Sequence, residues 1–112
     1  MDCIFCRIAS GDISAAKIYE DDVTIAFRDL EPQAPVHLLV IPKKHIASLA
    51  HASAEDQSTL GRMLVVASQV AQEQGLTEGY RSVINTGKGG GQTVPHIHLH
   101  VMGGRQLSWP PG

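Results

Sequence analysis

Three histidines alternate with apolar residues near the C-terminal end of the chain, in the run His96-Ile97-His98-Leu99-His100-Val101. Successive side chains on a strand point to opposite faces. Read as a strand, the run turns Ile97, Leu99 and Val101 inward and sets His96, His98 and His100 side by side on the other face, roughly 7 Å from one to the next. Three neighbouring imidazoles would repel one another if all were protonated, so they call for shared protons, an anion or a metal. Three readings stand. The face is merely rich in histidine. Or it is a zinc site, since alternating histidines are common zinc ligands, although no carboxylate lies close by in the sequence. Or it does phosphate chemistry, with one imidazole as nucleophile and its neighbours as donors to phosphoryl oxygens.

What precedes the run favours phosphate. Gly87, Gly89, Gly90 and Gly91 lie directly before it, followed by Gln92 and Thr93. Glycines let backbone N–H groups approach an anion closely. An imidazole with an ordinary pKa near 6.5 is largely neutral at pH 7 and can attack without a costly deprotonation. At the other end, Cys3 and Cys6 form a Cys-x-x-Cys pair. In a reducing compartment it reads as half of a zinc site, a redox pair or two ordinary residues.

These groups need elements to hold them. Phe5 to Ile8 is a short apolar stretch, a short N-terminal helix that ends at Ser10-Gly11-Asp12. Lys17 to Glu20 and Val23 to Arg28 read as a hairpin across Asp21-Asp22. Two prolines make Glu31 to Pro35 a loop. His37 to Ile41 suits a buried central strand that ends at Pro42. Ser53 can cap one main helix, with Glu55 and Asp56 in its first turn. That helix has an apolar face of Leu60, Met63, Leu64, Ala67, Val70 and Ala71, and Gly75 stands at its C′ position. Tyr80 to Asn85 and Val94 to Met102 are further strands. The expected class is α+β: a largely antiparallel sheet, one main helix and the short N-terminal one.

A chain of 112 residues has room for one core, so residues 1–112 read as a single domain. The net charge is −2 and hydrophobic residues make up 43%. Charge alone suggests neither a nucleic-acid nor a membrane-surface partner. No apolar run reaches the ~18 residues of a membrane span, and Met1-Asp2-Cys3 opens no leader. The cytoplasm is the expected location.

The histidine run is similar to the histidine-triad signature, His-φ-His-φ-His-φ-φ, where φ is apolar. The likeness extends to Phe27-Arg28-Asp29, Pro32 to His37, Val40 to His45, Gly90-Gly91-Gln92, Gly103-Gly104-Arg105-Gln106 and Trp109-Pro110-Pro111-Gly112. Across essentially the whole chain it resembles the Hint branch, the histidine-triad nucleotide-binding proteins. The resemblance implies a homodimer that binds purine nucleoside monophosphates and hydrolyses the P–N bond of nucleoside phosphoramidates. His98 would attack the α-phosphorus and form a nucleotidyl-histidine that water then cleaves, with no cofactor in the chemistry. His96 and His100 complete the triad. His100 would donate to phosphoryl oxygens, with Asn85, the Gly91 backbone, Gln92 and Thr93 around the phosphate, and His37 would orient the nucleophile. Asp29 would accept from the ribose hydroxyls; a carboxylate suits a cis-diol. Phe5, Ile8, Ile13, Phe27 and Leu30 would line the base pocket, and Trp109 would reach toward the site of the partner subunit.

Relatives that carry the Cys-x-x-Cys pair imply a structural zinc on Cys3, Cys6, His45 and His96, a closed S₂N₂ set. His96 would then be structural. Two rival functions remain from the residues. The first is a dinucleoside polyphosphate hydrolase or nucleotidyl transferase; His100 at the third triad position speaks against the transferase, and the Trp109-Pro110-Pro111-Gly112 ending against the polyphosphate hydrolase. The second is a nucleotide-binding regulatory module.

Overall fold

The computed structural model describes residues 3–112; Met1 and Asp2, where the reading of a leaderless start begins, lie outside them. The first element is a short helix, α1 (Ile4–Ser10), capped by Cys3, whose Sγ accepts the Cys6 N–H at 3.4 Å. Gly11 stops it at φ 87°, a left-handed conformation that only glycine adopts cheaply. Then come β1 (Lys17–Glu20), β2 (Thr24–Arg28) and β3 (Val36–Pro42), followed by the main helix α2 (Gln57–Glu73) and the strands β4 (Tyr80–Val83) and β5 (Leu99–Gly103). The strands form one sheet in the order β1-β2-β3-β5-β4, antiparallel throughout. This is the expected α+β architecture.

Local chemistry explains each turn. The β1–β2 hairpin lacks glycine, and Asp21 does the work instead. Its Oδ1 accepts from the N–H groups of Val23 and Thr24, both at 2.7 Å, and from the Thr24 hydroxyl at 3.0 Å. Ser53 and Asp56 make a reciprocal capping box around a single 3-10 turn, Ala54–Asp56, that runs into α2. β3 sits in the middle of the sheet and is buried from His37 to Pro42.

The sheet has two covered faces. On one, Leu38, Val40, Ile97, Leu99 and Val101 pack against Met63, Val66, Ala67, Val70 and Ala71 of α2. On the other, Ile25, Phe27, Leu39 and Ile41 pack against Phe5 and Ile8 of α1, with Cys3. Burying each such large apolar side chain is worth about 1.5–3 kcal/mol. One helix position differs from expectation. Leu64 points to solvent and Val66 takes its place in the core, because the buried face runs 63-66-67-70-71.

The last strand is also shorter than expected. The ladder begins at Leu99, which pairs with Val40, and not at Val94. Pro95 has no N–H to offer a ladder. His96 turns back to Val94 O (2.8 Å), and the Ile97 N–H goes to Ile46 O (2.7 Å). The alternation of faces persists through this irregular stretch: Ile97 joins the α2 face, and His96 and His98 meet Phe5 on the other. β4 likewise stops at Val83, short of Asn85. No helix among the described residues is long and apolar enough to cross a membrane.

Gly103 marks where β5 passes the end of α2. A Cβ there would lie 2.8 and 3.0 Å from the methyls of buried Leu76 and 3.3 Å from Gly79 O. Gly103→Ala is expected to cost about 1–3 kcal/mol by overpacking. Urea denaturation measures this, and a midpoint equal to the parent's would show that Leu76 yields freely.

Candidate functional site

The face beneath α1 carries the histidines, and three backbone groups decide where their protons sit. His98 is buried, and its Nδ1 lies 2.8 Å from His96 O. A carbonyl only accepts, so Nδ1 holds the proton and a neutral ring keeps its lone pair on Nε2. His96 is fully buried and points Nε2 at Pro42 O, 2.8 Å away. Its lone pair is therefore on Nδ1.

His37 works in the opposite sense. The Gln33 N–H donates to its Nδ1 at 2.9 Å, so the proton of the neutral ring is on Nε2. That Nε2–H meets His100 Nδ1 at 2.9 Å, with Asp29 Oδ2 at 3.4 Å from the same nitrogen. His100 accepts on Nδ1 and keeps its own proton on Nε2. The rings of His98 and His100 stand 5.0 Å apart. The face thus presents a lone-pair nitrogen on His98 beside a donor nitrogen on His100, with His37 hydrogen-bonded behind it.

A second cluster lies at the other end of the triad. His96 Nδ1 is 3.4 Å from Cys3 Sγ, 3.6 Å from Cys6 Sγ and 3.2 Å from His45 Nδ1, and Cys6 Sγ is 3.2 Å from His45 Nδ1. These four ligand atoms lie within 4.8 Å of one another. Such spacings match the edges of a tetrahedron with bonds of about 2.0–2.3 Å. Both cysteines are free thiols. The four residues could hold a metal ion.

Residues 10–107 match the HIT domain family. This chain is a HIT-domain protein. It is 58% identical over 111 residues to an uncharacterised HIT-like protein of Synechococcus elongatus, covering 99% of this chain and 97% of that one. A HIT family hydrolase from Legionella pneumophila superposes with a TM-score of 0.97 at 53% identity, covering 99% and 100% of the two chains. Two further structures have a TM-score of 0.83. A zinc-bound histidine triad family protein from Mycobacterium smegmatis is 41% identical, with 97% of this chain and 81% of that one covered. A histidine triad nucleotide-binding protein from Candida albicans is 32% identical, with 97% and 83% covered.

The HIT resemblance named further residues, and the structure gathers most of them. Phe5, Ile8 and Phe27 are buried in one cluster, with Ile13 packed against it. Leu30 stands apart at 94% exposure, and Trp109 at 83%. Asp29 is drawn to His37 and also caps a turn through the Glu31 N–H (2.8 Å). Asn85 faces Gly91: a Cβ on Gly91 would lie 4.0 Å from the Asn85 amide. Thr93 is exposed at the rim. His51, which the motif does not use, is exposed, with Nδ1 on the Ser48 hydroxyl (2.6 Å).

The glycine loop differs from a simple anion cradle. Its N–H groups at Gly90 and Gly91 close turns on Gly87 O and Lys88 O, and that of Gln92 returns to Gly87 O. The Gln92 amide is engaged on both sides, accepting from the Gly87 N–H and donating to Ala47 O and Val94 O. Gln92 is the brace of the loop. Gly91 sits at φ 88°, so a side chain there would strain the backbone. Sequence reasoning missed Gln33, Pro42 and Phe5 as organisers of the histidines, because two of them act through the backbone and leave no side-chain signal.

Burial pushes His37 down from its ordinary pKa, with Asp29 opposing. His100 is pushed down from 6.5 to about 4 by burial and then by the neighbouring His98 and His37, again opposed by Asp29. An imidazole depressed in the folded state binds fewer protons there than in the unfolded chain at pH values between the two pKa values. Its stability contribution is complete above pH 6.5 and is lost as pH falls toward 4. The urea midpoint is expected to drop between pH 7 and pH 5, and His100→Gln to lessen that drop. Equal midpoints at the two pH values would show that these rings are not held neutral.

Proposed function

We propose that this HIT-domain protein is a nucleotide-binding hydrolase of the Hint type. It binds purine nucleoside monophosphates and cleaves the P–N bond of nucleoside 5′-phosphoramidates through a nucleotidyl-histidine. The observation that carries this reading is the bond from His98 Nδ1–H to His96 O, which leaves Nε2 as a lone pair beside the His100 donor. The hydrolase and nucleotide-binding names of the similar structures agree with it.

The chemistry follows from the proton positions. His98 Nε2 attacks the α-phosphorus, forming an N–P bond as the bond to the amine breaks, and the amine departs with a proton taken from solvent. His100 Nε2–H stabilises charge on a phosphoryl oxygen, and His37 holds that ring with the proton outward. Water then attacks phosphorus and frees His98, and its proton leaves with the product. Asp29 accepts from the ribose hydroxyls, the cluster of Phe5, Ile8, Ile13 and Phe27 supports the base, and Leu30 closes over it. Asn85, Gly91 and Thr93 rim the phosphate in the loop that Gln92 shapes. No cofactor enters these steps.

His98→Asn is expected to lower kcat by ~10³-fold or more while AMP still binds. Native mass spectrometry of the parent with an adenosine phosphoramidate should show a nucleotidyl adduct that appears and decays. Normal turnover by the variant would overturn the mechanism. A higher rate on a diadenosine polyphosphate than on the phosphoramidate would move the assignment to that hydrolase class.

Zinc fits the Cys3, Cys6, His45 and His96 set, because the Pro42 carbonyl turns the His96 lone pair toward the two thiols and His45. Bound there, it would supply a structural tie between α1 and the segment before β5. A homodimer has surface available: β4 is an edge strand with Tyr80 exposed, and Leu64 and Val65 are exposed on α2. Trp109 would then approach the second site. Sedimentation is expected to give a dimer, and Val65→Asp to shift it toward monomer. A monomeric parent at micromolar concentration would remove the dimer from this reading.

A further inference from the structure

The triad is not held uniformly. His100 lies within the β3–β5 ladder, opposite Leu39. His96 and His98 precede it, so no cross-strand pairing fixes them. Four hydrogen bonds position this segment: His96 N–H to Val94 O, Ile97 N–H to Ile46 O, His96 Nε2–H to Pro42 O and His98 Nδ1–H to His96 O. Three of the four pass through the His96 residue that the cysteine–histidine cluster grips.

We infer that the Cys3, Cys6, His45 and His96 cluster is a positioning device for His98. Gripping the His96 ring fixes the His96 carbonyl, and that carbonyl sets the tautomer and aim of the His98 ring. A second route runs through packing. Phe5 stands edge-on to both rings, at 5.8 Å from His96 and 5.2 Å from His98. Phe5 belongs to α1, whose first turn is the Cys3–Cys6 cap itself. The cluster therefore touches the nucleophile through a carbonyl above and an aromatic edge beside it. It touches neither Asp29 nor the His37–His100 pair. Metal loading then acts on the nucleophilic step more than on nucleotide affinity, which it reaches only through Phe5 and its helix.

This inference rests on the phosphoramidate reading only for its kinetic consequence. The test begins with the full chain loaded with zinc, then stripped by a chelator and reloaded. Histidine ring ¹⁵N spectra report the His98 tautomer, amide exchange reports Ile97, and circular dichroism reports the fold. Titration with AMP and turnover of an adenosine phosphoramidate give Kd, kcat and KM. Stripping is expected to leave AMP affinity within about twofold, mix the His98 tautomers and speed Ile97 exchange. It should lower kcat roughly ten- to a hundredfold, the usual reach of residues that orient another group, and zinc should restore all of these. If stripping unfolds the chain, the same readouts are taken on His45→Ala, which removes one half-buried ligand and leaves three. Failure to take up zinc overturns the inference. So does an unchanged tautomer and exchange rate on zinc loss, or a rise in KM at constant kcat. If the loaded protein turns over no phosphoramidate, the functional reading falls, and the tautomer and exchange measurements still decide the positioning claim.

Discussion

The bond from His98 Nδ1 to the His96 carbonyl is the constraint on which the site depends. A free imidazole offers two nearly equivalent nitrogens and interconverts between tautomers. A carbonyl at 2.8 Å ends that ambiguity, because protonation at Nε2 would set two acceptors against each other. The chain repeats the device at Pro42 O, which fixes His96, and inverts it at the Gln33 N–H, which fixes His37 and through it His100. Four histidines are thus given unique proton positions by two backbone carbonyls and one backbone N–H. Chemistry that needs one lone pair and one donor side by side requires this, and side-chain identity alone does not deliver it.

The fold exists in the right form to supply those backbone groups. β3 is central, and it contributes His37 at one end and Pro42 O at the other. Its partner β5 carries His100 opposite Leu39, so one ladder places His100 beside His37. The period-2 alternation then separates functions by face. Leu38, Val40, Leu99 and Val101 hold α2, while His37, His98 and His100 share the other face with α1. Burial on that second face favours the neutral rings of His37 and His100 as well as placing them.

Much of this was legible in the residues. The alternation of histidines with apolar residues announced one face of histidines, the hairpin and main helix were marked by their pattern and caps, and Cys3, Cys6, His45 and His96 do meet in space. What could not be read shares one cause: it is decided by backbone partners from distant parts of the chain. The ladder begins at Leu99 because Pro95 and the Ile46 carbonyl divert the preceding segment. The glycine loop turns several N–H groups inward because Gln92 braces it from Ala47 and Val94. Leu64 looked like core by spacing, yet a shift of one position in the buried face leaves it in solvent. Local pattern names the candidate side chains; tertiary hydrogen bonds decide which atom of each is presented.

The same principle separates two clusters that an inventory of ligands would treat alike. Asp29, His37 and His100 bring three ligand atoms within 4.8 Å, just as the cysteine set brings four. Yet His37 Nε2 must carry a proton, because its Nδ1 already accepts the Gln33 N–H. To bind a metal through Nε2, the ring would have to move its proton to Nδ1 and point it at that N–H, losing one hydrogen bond and creating a donor–donor clash. In the other cluster the Pro42 carbonyl has already drawn the His96 proton away, and the lone pair faces the thiols. One histidine group therefore keeps a proton between its rings and the other turns a lone pair toward the thiols, and the difference lies in a backbone N–H against a backbone carbonyl.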